Sequence, residues 1–181
     1  IKTAHLRGKR IKVYATETRP RFQGLISYRE LKDLGVDVTL IVDSAVRYFM
    51  KDVDKVIVGA DAIAANGAVV NKVGTSLIAL AAHEARVRTF VVATTHKFSH
   101  ETILGELVKI PFIRETLRIG EDTTLVSPAF DVTPPEYIDA IITERGMVAP
   151  EAVILLVREM YGWPPRARDI DDIVKNLLKA S

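Results

Sequence analysis

The chain has 181 residues and a net charge of +2, from 25 basic and 23 acidic side chains. This near balance gives no electrostatic support for a nucleic-acid-binding surface. Hydrophobic residues make up 48% of the chain and charged residues 27%, which is typical of a folded globular protein. No apolar run approaches the roughly 20 residues of a membrane span, and the lack of cysteine excludes disulfides and a cysteine nucleophile within this chain. We expect one cytoplasmic domain, 1–181, that binds neither nucleic acid nor a membrane.

Apolar runs and helical periods alternate along the chain. Short runs rich in β-branched residues predict strands over 11–16, 36–42, 55–60 and 89–95. The third run is continuously apolar, which predicts a strand buried on both faces. Helices are predicted over 26–35, 45–52, 76–86, 149–163 and 168–180, with Asp43 and Ser44 placed to cap the second of them, whereas the stretch from about 97 to 127 is less regular. This order predicts an α/β protein with a mostly parallel sheet flanked by helices.

A carboxylate follows the third predicted strand. In parallel α/β sheets, ligands bind at the carboxyl ends of the strands. Asp61 lies at such an end, in "VIVGADAIAANGAVVNKVGTS" (residues 56–76). Partial burial there would suit its carboxyl to donate or accept protons. The alternative is an aspartate that accepts hydrogen bonds from backbone amides of its own turn, which is a common use of this residue.

A tight turn follows Asp61 in the sequence. Asn66 and Gly67 predict a hairpin turn, whose return arm would carry Asn71 and Lys72 back toward the open edge of the sheet. The next residues, 74–76, begin a predicted helix, where unpaired backbone amides favour an anion. The ammonium, the amide and the helix N-terminus together suit a phosphate. A capped helix beside a surface lysine explains the same residues equally well.

Other polar residues follow the first and fourth predicted strands. Lys97 follows the fourth strand, which should neighbour the third, so it either reaches the cleft of Asp61 or is a solvated loop lysine. Gln23 and Arg19 follow the first strand, and Arg19 either binds an anion or pairs with Glu17. His96 and His100 are four residues apart but lack a neighbouring carboxylate on an evident helix, so we expect no metal site.

Four motifs in this order resemble one protein superfamily along nearly the whole chain: "ETRP…QG", residues 56–76, "THKF" and "AFDVTPPEYIDAIITERG". The superfamily contains the α, β and δ regulatory subunits of translation initiation factor 2B, the methylthioribose-1-phosphate isomerases and the archaeal ribose-1,5-bisphosphate isomerases. The chain is most similar to the last group. This resemblance implies a Rossmann-like C-terminal domain and conversion of ribose 1,5-bisphosphate to ribulose 1,5-bisphosphate.

The resemblance also implies roles for individual residues. It implies that Asp61 is the catalytic proton donor near the ring oxygen of a phosphorylated sugar. It further implies that Asn71 and Lys72 hold the substrate and that Lys97 contacts a phosphate, while Gln23 matches a glutamine near the substrate. No metal or organic cofactor is expected from these residues.

The chain departs from the isomerase pattern in one respect. The isomerases use a cysteine just upstream of the first strand present here, together with phosphate-binding residues of a helical N-terminal domain, and this sequence contains neither. We therefore expect a fragment that is inactive alone. The resemblance also implies that the parent enzyme forms a homo-oligomer. The alternative is a non-catalytic regulatory subunit of an archaeal initiation-factor-2B-like complex, with initiation factor 2 as its partner.

Overall fold

A computed structural model describes residues 1–99, 112–119 and 121–162 of the chain. Within these ranges, strands and helices alternate over residues 2–58, and most of the later elements are strands. The strands are β1 (Lys12–Thr16), β2 (Asp37–Ile41), β3 (Lys55–Val58), β4 (Ala62–Ala64), β5 (Val69–Lys72), β6 (Arg88–Val92), β7 (Phe98–Ser99), β8 (Phe112–Ile119), β9 (Glu121–Pro128), β10 (Phe130–Thr133), β11 (Ala140–Thr143) and β12 (Gly146–Val148). The α-helices are α1 (Lys2–Leu6), α2 (Gly24–Asp33), α3 (Val46–Phe49), α4 (Thr75–Ala85) and α5 (Val153–Tyr161).

The parallel part of the fold consists of two groups of strands. Strands β3, β6 and β11 are parallel neighbours, and β12 adds an antiparallel edge, in the order β12-β11-β6-β3. Strands β1 and β2 form a separate parallel pair, and α2 connects them along the chain. The predicted α/β class is therefore confirmed. The expected pairing of the third and fourth predicted strands, now β3 and β6, is also present.

A second, mixed sheet has the order β10-β5-β4-β7. Its strands β4 and β5 are inserted between β3 and α4, so this sheet begins directly at the carboxyl end of β3. Strand β5 is antiparallel to both β4 and β10, whereas β7 is parallel to β4. Three regions of the chain that are distant in sequence therefore meet in this sheet, namely the β4–β5 hairpin, β7 and β10.

Two hydrophobic clusters fix the sheets against the helices. In the larger cluster, side chains of both four-stranded sheets pack with α5; its fully buried members include Ile63, Val69, Val91, Ile141, Val153 and Val157. In the second cluster, β2, α3, β3 and α4 pack together through Ile41, Val46, Met50, Val56, Ala81 and Ala82, with Tyr14 of β1 against them. The shared packing makes the position of the mixed sheet depend on the parallel one.

Two details of the sequence prediction are wrong. Strand β3 is buried on one face only, because Val56 is 8% exposed whereas Ile57 is 56% exposed. The stretch predicted to be irregular contains the antiparallel hairpin of β8 and β9, whose register runs from Phe112↔Pro128 to Ile119↔Glu121. Its charged and β-branched residues have no clear apolar period, so the local sequence pattern did not indicate these strands.

Some predicted features lie outside the described residues, namely the helix over 168–180 and His100. The predicted helix over 149–163 is confirmed in its middle by α5. In the ranges that the structure describes, no helix has the length and apolar character needed to cross a bilayer.

The turn between β4 and β5 packs closely against Pro150. The amide of Gly67 donates to the carbonyl of Ala64, and the amide of Ala68 donates to Oδ1 of Asn66. Gly67 has φ of +86°, and a Cβ atom on it would lie 2.4 Å from the carbonyl oxygen of Pro150. Only glycine combines this backbone conformation with this close approach.

We predict that Gly67→Ala destabilises the fold more than the same change at Gly35. Gly35 has a similar φ of +76°, but its added Cβ would meet only the His5 side chain at 3.8 Å. Both variants place an L side chain at positive φ, at a cost of about 1–2 kcal/mol, and Gly67→Ala adds an overpacking cost of about 1–3 kcal/mol. Urea unfolding of the two variants measures the difference. Equal losses in unfolding free energy would show that the Pro150 contact does not constrain the turn.

Candidate functional site

The hairpin of β4 and β5 returns the chain to the carboxyl end of β3. Its register pairs Ala62 with Val70 and Ile63 with Val69, and the amide of Asp61 donates to the carbonyl of Val70 at 2.8 Å. Asp61 therefore lies beside Asn71 across the hairpin, as the Asn66 and Gly67 turn predicted.

The other strands of the mixed sheet bring further polar residues to the same end. Asn71 pairs with Asp131 and Lys72 with Phe130, both across the β5–β10 ladder. On the other side, Ile63 pairs with Phe98, so Lys97 comes just before β7 and lies next to the start of β4. The structure thus brings together Asp61, Asn71, Lys72 and Lys97, which we name the sheet-end cluster.

Asp61 is exposed at this sheet end rather than partly buried as expected. Among the described residues, its carboxylate accepts no hydrogen bond from the backbone amides of its own turn. The alternative of a purely turn-capping aspartate is therefore not what the structure shows. A carboxylate with this exposure can reach a ligand bound over the sheet end.

Asn71 and Lys72 are both held in place by neighbours. The side-chain amide of Asn71 donates to Oγ1 of Thr75 at 3.0 Å, and Thr75 in turn donates to the carbonyl of Lys72 at 2.7 Å. The ammonium of Lys72 lies 5.2 Å from the ring centroid of Phe130. These contacts restrict the side-chain rotamers before any ligand arrives, which lowers the entropy that binding must overcome.

The N-terminus of α4 already has an anion. Oδ2 of Asp131 accepts hydrogen bonds from the amides of Gly74 at 2.7 Å and Ser76 at 3.1 Å. Burial raises the pKa of the Asp131 carboxyl, and the two amide hydrogen bonds oppose that rise. Of the two alternatives left open for residues 74–76, the structure favours the capped helix, because these two amides are not free for a phosphate.

Lys97 ends a short 3-10 helix that is held by a carboxylate from another strand pair. The helix, Thr95–Lys97, follows β6, and both the amide and Oγ1 of Thr95 donate to the carboxylate of Glu144 in the turn between β11 and β12. The hydrogen bond from the Thr95 side chain is the main cause that lowers the pKa of Glu144. Lys97 itself is exposed, so its ammonium is open to an anionic ligand.

Gln23 is not brought to the mixed sheet. It is exposed just before α2, in the loop after β1, and the β1–β2 pair shares no backbone pairing with the mixed sheet among the described strands. Close packing fixes the start of α2 against the end of β1, since a Cβ on Gly24 would lie 1.6 Å from the carbonyl oxygen of Thr16. Gln23 is therefore well positioned by its own loop, but it lies in a different group of strands from the sheet-end cluster.

A carboxylate that sequence reasoning assigned to a helix cap binds the loop after β1 instead. The two oxygens of Asp43 accept hydrogen bonds from the amides of Thr18 at 2.8 Å and Arg19 at 2.7 Å. The guanidinium of Arg19 lies over the ring of Phe22, 4.6 Å from its centroid. Asp43 thus connects the loops that follow β1 and β2.

Three carboxylates that organise these loops were missed or given another role by the sequence analysis: Asp43, Asp131 and Glu144. Each contacts a segment at least 24 residues away in the chain. Only the acidic residue type directly after a strand signalled Asp43, and no local pattern signalled the partners of the other two. In the part of the chain that the structure describes, no group of three or more His, Asp or Glu side chains is arranged to hold a metal ion.

Comparison with known proteins identifies the family. A family model described as "Initiation factor 2 subunit family" matches residues 1–150. The chain belongs to this family. Proteins named ribose 1,5-bisphosphate isomerase are 53% identical over 171 residues in Thermococcus kodakarensis and 54% identical over 168 residues in Methanocaldococcus jannaschii, which is 90% of this chain in both comparisons. The resemblance inferred from the four motifs is therefore confirmed.

A solved structure agrees with the family assignment. The crystal structure titled as the Pyrococcus horikoshii translation initiation factor eIF-2B is similar with a TM-score of 0.77 and 39% identity, over 84% of this chain and 54% of that one. The chain spans about half the length of the curated relatives it matches, 53% of the Thermococcus protein and 54% of the Methanocaldococcus protein. The fold likeness therefore concerns one half of those longer proteins.

We predict that Glu144→Gln lowers the thermal unfolding midpoint in a pH-dependent way. Because the pKa of Glu144 is lowered in the folded chain, its contribution to stability is present above its ordinary value of 4.5 and is lost as the pH falls through the folded value. The difference between wild type and variant should therefore be largest near neutral pH and shrink in acid. Calorimetry across this range measures it. A difference that does not change with pH would contradict the role given to the Thr95 hydrogen bonds.

Proposed function

We propose that this chain is the sugar-phosphate-binding part of a ribose-1,5-bisphosphate isomerase, which converts ribose 1,5-bisphosphate to ribulose 1,5-bisphosphate. The observation that carries the proposal is the convergence of Asp61, Asn71, Lys72 and Lys97 at one end of the mixed sheet. Relatives that carry the isomerase name and are more than half identical support the same reaction. Since the chain spans about half of those relatives, the activity is proposed for the complete protein in which this sequence occurs.

Asp61 is proposed as the proton donor. Isomerisation requires the sugar ring to open, so the bond between C1 and the ring oxygen breaks and that oxygen takes a proton. A carboxyl group beside the ring oxygen can supply this proton. The hydrogen on C2 must then move to C1, and the C2 hydroxyl must lose its proton as C2 becomes the ketone carbon. This step needs a second group that can accept a proton, which the sheet-end cluster does not contain.

The remaining residues are proposed to bind the substrate. Asn71 and Lys72 are restrained by Thr75 and Phe130, so they suit the task of holding the sugar in one orientation. Lys97 is proposed to bind a phosphate with its exposed ammonium. Gln23 is proposed as a further substrate contact, which requires the loop after β1 to face the same cleft.

The finer description of the fold is also a proposal. We propose that residues 1–181 form one Rossmann-like domain, in which the β1–β2 pair extends the parallel sheet beyond β3. The shared cluster of Ile41, Val56 and Tyr14 supports this arrangement, because it packs both groups of strands against each other. Homo-oligomer formation and a cytoplasmic location stay predictions.

A second candidate function is a regulatory subunit of an initiation-factor-2B-like complex. The solved structure with a TM-score of 0.77 carries the initiation factor name, and such a subunit would use the same scaffold for contacts with initiation factor 2. This candidate needs no turnover and gives no role to an exposed Asp61. The two functions therefore differ in a measurable activity.

The experiment that separates them uses the protein expressed from its complete reading frame. Ribose 1,5-bisphosphate is supplied, and ribulose 1,5-bisphosphate is followed by phosphorus NMR. The isomerase proposal predicts steady, enzyme-dependent formation of the ketose. The absence of product above the uncatalysed background, with folded protein, would exclude the isomerase and leave the regulatory subunit.

We predict that Asp61→Asn in the complete protein lowers kcat by about 10²–10⁴-fold, because the amide cannot donate the proton that ring opening requires. Substrate affinity, measured by calorimetry, should change little. Asp54→Asn is the matched control, since Asp54 is also exposed but precedes β3 at its opposite end. If Asp61→Asn keeps wild-type turnover, Asp61 is not the acid.

We predict that Lys97→Gln raises KM for ribose 1,5-bisphosphate about tenfold or more, because a hydrogen bond to a charged phosphate is lost. Lys51→Gln is the control, because Lys51 is exposed ahead of the amino end of β3. Steady-state kinetics on both variants make the comparison. A similar KM in the two variants would show that Lys97 is a solvated loop lysine.

A further inference from the structure

Asp131 connects three segments of the proposed site although it belongs to none of the sequence motifs assigned to substrate. It pairs with Asn71 across the β5–β10 ladder, so their side chains are on the same face of the mixed sheet. Its Oδ2 atom accepts the amides of Gly74 and Ser76, which are 57 and 55 residues earlier in the chain. One carboxylate oxygen therefore joins β10 to the turn that follows Lys72.

That turn sets the direction of the two substrate-holding residues. Gly74 has φ of +102°, so the chain bends sharply between the end of β5 and the start of α4. From inside the bend, Thr75 donates to the carbonyl of Lys72 and accepts the side-chain amide of Asn71. On the other side, Asp131 attaches the bend to β10, and the amide of Val73 adds a longer hydrogen bond to the carbonyl of Ala129, at 3.4 Å.

Helix capping alone does not account for a carboxylate at this position. Its second oxygen, Oδ1, is buried and has no hydrogen-bond partner among the described residues. A buried acceptor without a partner destabilises the fold. An asparagine would cap the helix with a neutral amide and avoid most of the cost of burying a charge. The charge of Asp131 also occupies the positive end of the α4 dipole. A phosphate would therefore be attracted by the lysine ammonium groups of the sheet-end cluster and not by the helix N-terminus.

We propose that Asp131 is a positioning residue, which locks the bend of residues 72–76 so that Asn71 and Lys72 hold the sugar phosphate in one geometry. The inference rests on the proposed isomerase function for its substrate. Asp131 acts through Asn71 and Lys72 and contacts no reacting atom. Its loss should therefore affect substrate binding more than the chemical step.

The test compares Asp131→Ala and Asp131→Asn with Asp139→Ala in the complete protein. Asp139 is a matched control, because its Oδ2 also accepts one backbone amide, that of Thr89 at 2.7 Å, but at the amino end of β6. All measurements are made at a temperature at which circular dichroism shows each variant folded. Asp131→Asn keeps an acceptor oxygen and the helix cap, so it folds even if the alanine variant does not.

We expect Asp131→Ala to raise KM for ribose 1,5-bisphosphate about tenfold, with a smaller change in kcat, because two hydrogen bonds to a charged group are lost. Asp131→Asn should lie between it and the wild type. Asp139→Ala should lower the thermal midpoint but leave KM unchanged. If Asp131→Ala lowers the midpoint with KM unchanged, Asp131 is only a structural cap and the inference is overturned.

A second readout separates this inference from the proposed function. NMR signals of the Asn71 side-chain amide report the hydrogen bond to Thr75 without any substrate. They should shift in both Asp131 variants and stay in place in Asp139→Ala. A wild type without turnover would reject the isomerase function, whereas unshifted Asn71 signals would reject the positioning role whether or not the protein turns over.

Discussion

The turn at Asn66 and Gly67 is the constraint on which the candidate site depends. It reverses the chain directly after Asp61, so that β5 returns Asn71 and Lys72 to the end of β3. The turn is held against Pro150, and the two strands on either side of it place Ile63 and Val69 in the main core. A change in this turn would therefore move Asp61, the proposed acid, relative to Asn71 and Lys72, the proposed substrate contacts.

Carboxylates that accept backbone amides hold the loops around this hairpin. Asp43, Asp131 and Glu144 each bind a loop that is distant in sequence, and each loop leads to a candidate site residue. An acidic side chain bound to amides fixes a loop without using a lysine as its partner. In the described ranges, the sheet-end lysines 72 and 97 form no ion pair with a carboxylate, so their charge is left for an anionic ligand.

Local sequence patterns predicted those parts of the site that depend only on residues close together in the chain. The apolar runs, the turn at Asn66 and Gly67 and the start of α4 near Thr75 were all recognisable in short stretches of sequence, and their order predicted the α/β class. The pairing of β5 with β10 was not visible, because no short window contains both Asn71 and Asp131. The exposure of Asp61 was missed for a similar reason, since burial depends on which segments cover the sheet end. The family motifs supplied the chemical roles that neither pattern nor geometry assigns.

The most direct test is the crystal structure of the complete Asp61→Asn protein with ribose 1,5-bisphosphate, because loss of the proposed acid should trap the substrate. The account predicts a sugar at the end of the mixed sheet, with its ring oxygen within hydrogen-bond distance of residue 61 and one phosphate on Lys97. Asn71 and Lys72 should contact the sugar in the orientation that Thr75 and Asp131 set. A substrate bound at another surface, with these side chains untouched, would contradict the account.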